Sequence, residues 1–256
     1  MTAMRAGVAT DIGAVRGTNQ DSHLVQGRVF AVADGMGGHS AGEVASGIAV
    51  TALAGLAELE SVGVDEVKQH VAKANADILA TASREPDKAG MGTTLTGLCL
   101  IEVGGTPHWA VFNLGDSRVY RFHDGAVEQL TADHSEVADL VRAGRITEPQ
   151  ARAHPARMVL TKALGTADAE PEIRVLPVVA GERFLLCSDG LTGELSDAEI
   201  AERLGAEDDP QTLADALVGA AVAAGGRDNV TVVVVDNAVS MAGPAARTAP
   251  RKEPGT

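Results

Sequence analysis

The chain has 256 residues, 45% hydrophobic and only 2% aromatic, with 35 acidic against 21 basic side chains and a formal charge of −14. That is enough apolar material for one large domain, and its core must be built from Ala, Val and Leu. The charge disfavours nucleic acid and anionic membranes as partners.

Residues 7–33 read as strands broken by turns, with Gly27 between Val25 and Val29 as a hairpin turn. Helical spacing of Ala45, Ile48, Ala49, Ala52, Leu53 and Leu56 predicts a helix over 43–60, and Val67, Val71, Ala74, Ile78 and Leu79 predict a second over 64–84 that closes before Pro86. Strands are predicted at 92–103, 107–115, 117–123 and 126–131, with Gly104-Gly105 and Asp124-Gly125 as hairpin signals. Residues 135–156 read as irregular helix. Strands follow at 158–164, 172–178 and 182–188, helices at 196–204 and 210–224, and a last strand at 229–236. Strand runs flanked by helix pairs argue for packed antiparallel sheets with helices outside, not a doubly wound parallel sheet. Residues 1–236 are expected to form one domain, and 237–256, rich in Ala, Pro and Gly, a disordered tail. Cys99 and Cys187 lie in apolar runs and read as buried thiols of a reducing compartment. The first eight residues are too short and polar for a signal peptide, and no apolar run is expected to reach membrane length. The expectation is a soluble, cytoplasmic protein.

Apolar runs end repeatedly in aspartate: Phe30-Ala31-Val32-Ala33-Asp34-Gly35, Val111-Phe112-Asn113-Leu114-Gly115-Asp116 and Phe184-Leu185-Leu186-Cys187-Ser188-Asp189-Gly190. Asp228 instead precedes the run Val230–Val235. Each alone is ordinary turn or cap chemistry. Four together point to a centre assembled by folding, in which clustered carboxylates need a hard divalent cation among them. Metal-assisted hydrolysis is the leading reading. Asp124-Gly125 is the control: it joins two amphipathic strands and reads as a turn only.

Eight segments stand in order: Arg16-Gly17-Thr18-Asn19-Gln20-Asp21, Val32–His39, Met91-Gly92-Thr93-Thr94, Gly115-Asp116-Ser117-Arg118, Leu130–Ser135, Leu160–Gly165, Cys187–Leu191 and Arg227–Thr231. The series, covering about residues 5–236, resembles the metal-dependent serine/threonine protein phosphatases, the type 2C or PPM family, and most closely its compact bacterial members. The resemblance implies an α+β fold, a four-layer α-β-β-α sandwich of two antiparallel sheets flanked by helix pairs. It implies hydrolysis of phosphoserine and phosphothreonine in proteins by a metal-activated water, with two Mn2+ or Mg2+ ions and a third, weaker one. By family match Asp34 bridges two ions, Gly35 lends its carbonyl, Asp189 and Asp228 complete the shell, and Asp116 with Asp189 holds the third. Asp21 orients water, and Arg16 grips phosphate, as a guanidinium fork suits. Implied partners are serine/threonine kinases and their substrates; a monomer is expected.

Three positions depart from the family pattern: Met36 stands where some members carry histidine, Gln20 where they carry glutamate, and Lys162 where arginine is common. The proton for the leaving alkoxide is therefore left to His39 or to solvent. Residues from about His134 to Pro155 match the family's flap, and Arg142, Arg145, Arg152, His154 and Arg157 make this the most basic stretch. Phosphoprotein contact and a solvated helical face explain it equally well. Thr93 and Thr94 read as strand-start residues, Asn229 as a cap or turn residue, and Trp109 and Tyr120 as core. Two other functions stay open: a phosphatase dedicated to one small regulatory protein, as in sigma-factor control, and a catalytically silent binding module.

Overall fold

A computed structural model describes residues 4–38, 41–207 and 209–237. The strands are β1 (Met4–Asp11), β2 (Asp21–Gln26), β3 (Val29–Met36), β4 (Gly92–Thr93), β5 (Leu95–Val103), β6 (Thr106–Leu114), β7 (Arg118–His123), β8 (Ala126–Gln129), β9 (Glu172–Pro177), β10 (Arg183–Cys187) and β11 (Val230–Asn237). The helices are α1 (Ala41–Ala54), α2 (Val64–Arg84), α3 (Glu136–Arg142), α4 (Glu148–Arg152), α5 (Asp189–Thr192), α6 (Asp197–Ala206) and α7 (Pro210–Ala224). One sheet has the order β1-β11-β10-β7-β8 and the other β2-β3-β5-β6-β9, with β4 beside β3. Every pairing is antiparallel.

Strand alternation explains the layers. In β11, Val230, Val232 and Val234 pack under α5, α6 and α7, while Val233 and Val235 face the opposite sheet. In β3, Val29, Ala31 and Ala33 pack under α1 and α2, while Phe30 and Val32 face inward between the sheets. Both faces of these strands are covered, so they read as continuous apolar runs with no polar alternation. Three apolar clusters, helix–sheet, sheet–sheet and sheet–helix, make the four layers expected. Trp109 and Tyr120 are buried, and so are both free cysteines.

Several local expectations change. The first helix starts at Ala41 and gives way to a 3-10 turn at Gly55–Glu58. Leu79 is exposed, whereas Val67, Val71, Ala74 and Ile78 form the buried stripe. Thr94 interrupts the predicted strand 92–103. The predicted strand 158–164 is absent: only Leu160 and Leu164 make single bridges, to Ser135 and Thr93. Asn237 is the last residue of β11, paired with Met4, and does not begin a tail; residues 238–256 lie outside the described residues. The stretch Ala41–Glu58 is, by length and mean hydropathy, apolar enough to cross a membrane, contrary to expectation. Its Ala45, Ala49, Leu53 and Leu56 pack into the core against β3 and α2, which accounts for its hydropathy as that of a core helix.

Candidate active site

Strand register brings the acidic residues to one edge of the sandwich. Asp21 pairs with Asp34 across β2 and β3. Pairing of Leu95 with Leu114 puts the end of β6, and hence Asp116, beside the same part of β3. In the facing sheet Cys187 pairs with both Arg118 and Val232, so Asp116, Asp189 and Asp228 leave their strands at one edge. Asp34 follows Phe30 and Val32 on the inner face of β3, so its carboxyl points between the sheets where the apolar filling stops.

Hydrogen bonds fix each carrier. The Asp34 backbone N–H donates to Thr94 Oγ1 (3.0 Å), and its carbonyl accepts from Thr94 N (2.9 Å) and Thr93 Oγ1 (2.9 Å). Thr94 Oγ1 also meets Ser117 Oγ at 2.8 Å, joining the Asp34 strand to the Asp116 turn. Ser188 Oγ donates to Asp21 Oδ2 (2.8 Å) and accepts from Thr231 N (2.9 Å), joining the two sheets. Asn229 is buried; its Oδ1 accepts from Gln20 N (2.8 Å) and its Nδ2 donates to the carbonyls of Ile12 (2.9 Å) and Thr18 (3.0 Å). It therefore anchors the loop that carries Arg16, a long-range structural role in place of the local cap or turn expected. Arg16 lies on Asp228, Nη2 to Oδ2 2.6 Å. Gly35 abuts Gly42: a Cβ on Gly35 would overlap the Gly42 carbonyl and stand 2.6 Å from that of Gln20.

The electrostatics are those of crowded carboxylates. Burial, then the charges of Asp21, Asp189 and Asp116, hold the Asp34 carboxyl well above the ordinary range. The contact between the Asp34 and Asp189 carboxyls raises the first and lowers the second. Burial and Asp228 still leave Asp189 raised overall. Burial pushes Asp21 up to about 6 against the hydrogen bonds from Thr231 and Ser188. Burial, Asp189 and Asp133 push Asp116 up to about 8. Each of these four residues is part-buried, neither sealed in the core nor fully exposed.

Among the described residues no three acidic, histidine or cysteine side chains stand in ready-made ligating geometry. The fit to a cation rests on charge and on orphaned atoms. Asp21 Oδ1 and Asp189 Oδ1 are buried without a hydrogen-bond partner, and an all-oxygen donor set suits a hard divalent ion. A cation here would oppose the burial and the mutual repulsion that together raise these four carboxyls.

The predicted residues Arg16, Asp21, Asp34, Gly35, Asp116, Asp189 and Asp228 are thus all placed at this edge. His39 lies outside the described residues. Missed in the sequence were Ser188 and His134. Asn113 was missed too: it donates to the Gly115 carbonyl at 3.1 Å. Only Ser188 and Asn113 left a signal, each a polar residue interrupting an apolar run shortly before an aspartate; His134, within the polar stretch Asp133-His134-Ser135, left none.

The molecule is a four-layer sandwich with an acidic centre at the open edge of its sheets. The chain belongs to the protein phosphatase 2C family, whose model matches residues 15–232. It is 41% identical over 235 residues to the serine/threonine protein phosphatase PstP of Mycobacterium tuberculosis, covering 91% of this chain and 45% of that protein, so it spans about half of that relative's length. It is 35% identical over 256 residues to the serine/threonine phosphatase stp of Listeria innocua, covering 94% and 98% of the two chains. Among solved structures, the catalytic domain of PstP in complex with two manganese ions superposes with a TM-score of 0.84 at 40% identity, over 91% of this chain and 97% of that one.

Proposed function

We propose that the chain hydrolyses phosphoserine and phosphothreonine in proteins, using divalent cations, manganese or magnesium, held at the strand-edge carboxylates. The observation that carries this is the gathering of Asp21, Asp34, Asp116 and Asp189, raised by burial and by one another and with two orphaned oxygens, at the open edge of a protein phosphatase 2C fold. The relative bound to two manganese ions supports the choice of cation.

Asp34, Asp189 and Asp228, with the Gly35 carbonyl, would hold the ion pair, and Asp116 with Asp189 a weaker third ion. When bound, such ions supply Lewis acidity toward water and neutralise phosphoryl charge. The protein supplies the rest. Asp21, fixed by Ser188, orients a water by accepting its hydrogen. Arg16 stands on a loop anchored through Asn229 and presents a guanidinium toward the same edge, where its fork fits two phosphoryl oxygens. Met36, in the position of the family histidine, offers no proton, so the leaving alkoxide takes its proton from His39 or solvent. The gathered carboxylates speak against a silent binding module. Reduced, buried Cys99 and Cys187 support action in the cytoplasm, opposite serine/threonine kinases.

The test is phosphate release from a phosphothreonine peptide and from p-nitrophenyl phosphate, with manganese and with chelator, for the parent, Asp34→Asn and Asp189→Asn. Manganese-dependent release in the parent and loss in both variants is expected. A parent that binds manganese and releases no phosphate from either compound would overturn the reading.

A further inference from the structure

Asp189 and Asp228 stand beyond the ends of neighbouring strands, β10 and β11, and one buried carboxylate ties their two turns together. Asp189 opens α5, a single turn whose Leu191, with the following Leu195, is sunk in the core under β11. The Gly193 N–H closes that turn on the Asp189 carbonyl at 2.7 Å. Next comes Glu194, whose side chain is 4% exposed. Its Oε1 accepts from the Arg227 backbone N–H (2.9 Å) and from Arg227 Nε (2.8 Å), and its Oε2 accepts from Arg227 Nη2 (3.0 Å). The same Nη2 donates to the Gly193 carbonyl at 2.8 Å. A guanidinium fork on a carboxylate fixes geometry as well as adding energy. Breaking it here would leave the Glu194 charge buried without its counter-ion, so the contact is held far more firmly than an exposed ion pair.

Arg227 immediately precedes Asp228, in the short link between the end of α7 at Ala224 and the start of β11 at Val230. That link is also the wall against which the Arg16 loop lies. The Ala14 N–H donates to the Gly226 carbonyl at 2.7 Å, and a Cβ on Gly13 would overlap the Asp228 carbonyl. On the opposite side, a Cβ on Gly190 would overlap the Asn229 carbonyl. Residues 226–229 are therefore in backbone contact both with the turn that carries Asp189 and with the loop that carries Arg16.

We propose that Glu194 and Arg227 are a positioning pair: their ion pair sets the spacing of the Asp189 and Asp228 turns and carries the Arg16 loop with them. Manganese affinity and phosphate grip then depend together on a contact that touches neither ion nor substrate. The inference rests on the phosphatase reading for the ion and the phosphate.

The test uses the full chain and combines manganese calorimetry, steady-state kinetics on a phosphothreonine peptide and melting temperature. Glu194→Ala removes the anchor, and Glu194→Gln keeps an acceptor for the Arg227 backbone N–H. Arg5→Met is the control: it breaks an ion pair of similar length, 2.7 Å to Asp209, at the opposite end of β11, where Arg5 pairs with Asp236. Glu194→Ala should weaken manganese binding about tenfold, the scale of losing a residue that orients ligands from behind. It should also raise KM for the peptide, with kcat at saturating manganese nearly unchanged. Glu194→Gln should recover part of the affinity, and Arg5→Met should keep the parent's isotherm and KM. A role in stability alone would lower the melting temperature of Glu194→Ala and leave its isotherm, taken well below melting, like the parent's. That result would overturn the proposal, as would an equal loss of affinity in Arg5→Met or a Glu194→Gln protein no tighter than Glu194→Ala. Should Glu194→Ala not fold, Arg227→Met takes its place, its side chain being 71% exposed, and a parent-like isotherm there would overturn the proposal equally. Failure of the phosphatase reading would show separately, as proteins that differ in manganese affinity as expected while none, the parent included, releases phosphate.

Discussion

Two Asp-Gly pairs in this molecule do opposite things. Asp124-Gly125 closes the β7–β8 hairpin: both residues have positive φ, +50° and +76°, and no atom lies within 4 Å of a Cβ built on Gly125. The Asp124 side chain is 90% exposed. Asp34-Gly35 ends an extended strand, its aspartate faces three other carboxyls, and its glycine touches the Gly42 backbone. The dipeptide is identical, and the difference lies in what the fold brings to it. In the hairpin, glycine is required by backbone conformation; at the strand end, it is required by close approach.

Substitutions can break this contrast. Asp34→Ala should lower manganese-dependent turnover at least about a thousandfold, the scale of removing a principal electrostatic element of a site, and steady-state kinetics on a phosphopeptide would check it. Gly35→Ala should destabilise by about 3 kcal/mol or more, since a Cβ must displace the Gly42 and Gln20 carbonyls, read as a large fall in melting temperature.

The third expectation concerns pH. Asp21 (to about 6) and Asp116 (to about 8) hold protons in the folded state that the unfolded chain has released by about pH 4. The folded protein thus binds more protons in that interval, and the stability of chelator-treated protein should fall as pH rises from about 4 to about 8. Asp21 alone would contribute on the order of 2 kcal/mol once solvent at its open face is allowed for. Manganese should flatten the slope, since it favours the ionised carboxylates; melting curves across pH with and without the ion would show it.

Arg16→Ala should raise KM for a phosphopeptide several-fold, about 1–2 kcal/mol of lost charge-assisted contact, with a smaller change in kcat. The same variant uncovers Asp228, which Arg16 otherwise occupies at 2.6 Å, so manganese affinity should rise; an unchanged calorimetric isotherm would contradict this. At the hairpin, Gly125→Ala should cost about 1 kcal/mol through its positive φ and leave turnover intact. Asp124→Ala should change neither by a measurable amount.

The carboxylates were legible because each interrupts an apolar strand at its end, and no core residue explains such a pattern. Packed antiparallel sheets were legible from strand runs flanked by helix pairs, and the four layers only through the family resemblance; the structure shows why β11 is apolar from Val230 to Val235 save Thr231, since both its faces are covered. The residues that hold the carboxylates were not legible. Ser188 bonds Asp21 across 167 positions, and His134 bonds Gly115 across 19, and a hydroxyl or imidazole has no periodicity to announce its partner. Residues 158–164 were misread for a related reason. Met158, Val159 and Leu160 look like a strand, but a strand needs a neighbour along its length; here Met158 and Val159 are exposed and single bridges replace a ladder.

The inner layer has an optical consequence. The sole indole of the chain, Trp109, is fully buried and meets Phe184 edge-on, ring centres 5.4 Å apart, across the seam between the two sheets. Its fluorescence comes from one environment, remote from solvent. Parting of the sheets would red-shift a single emission band, so the wild-type chain carries its own probe of sandwich integrity without any label.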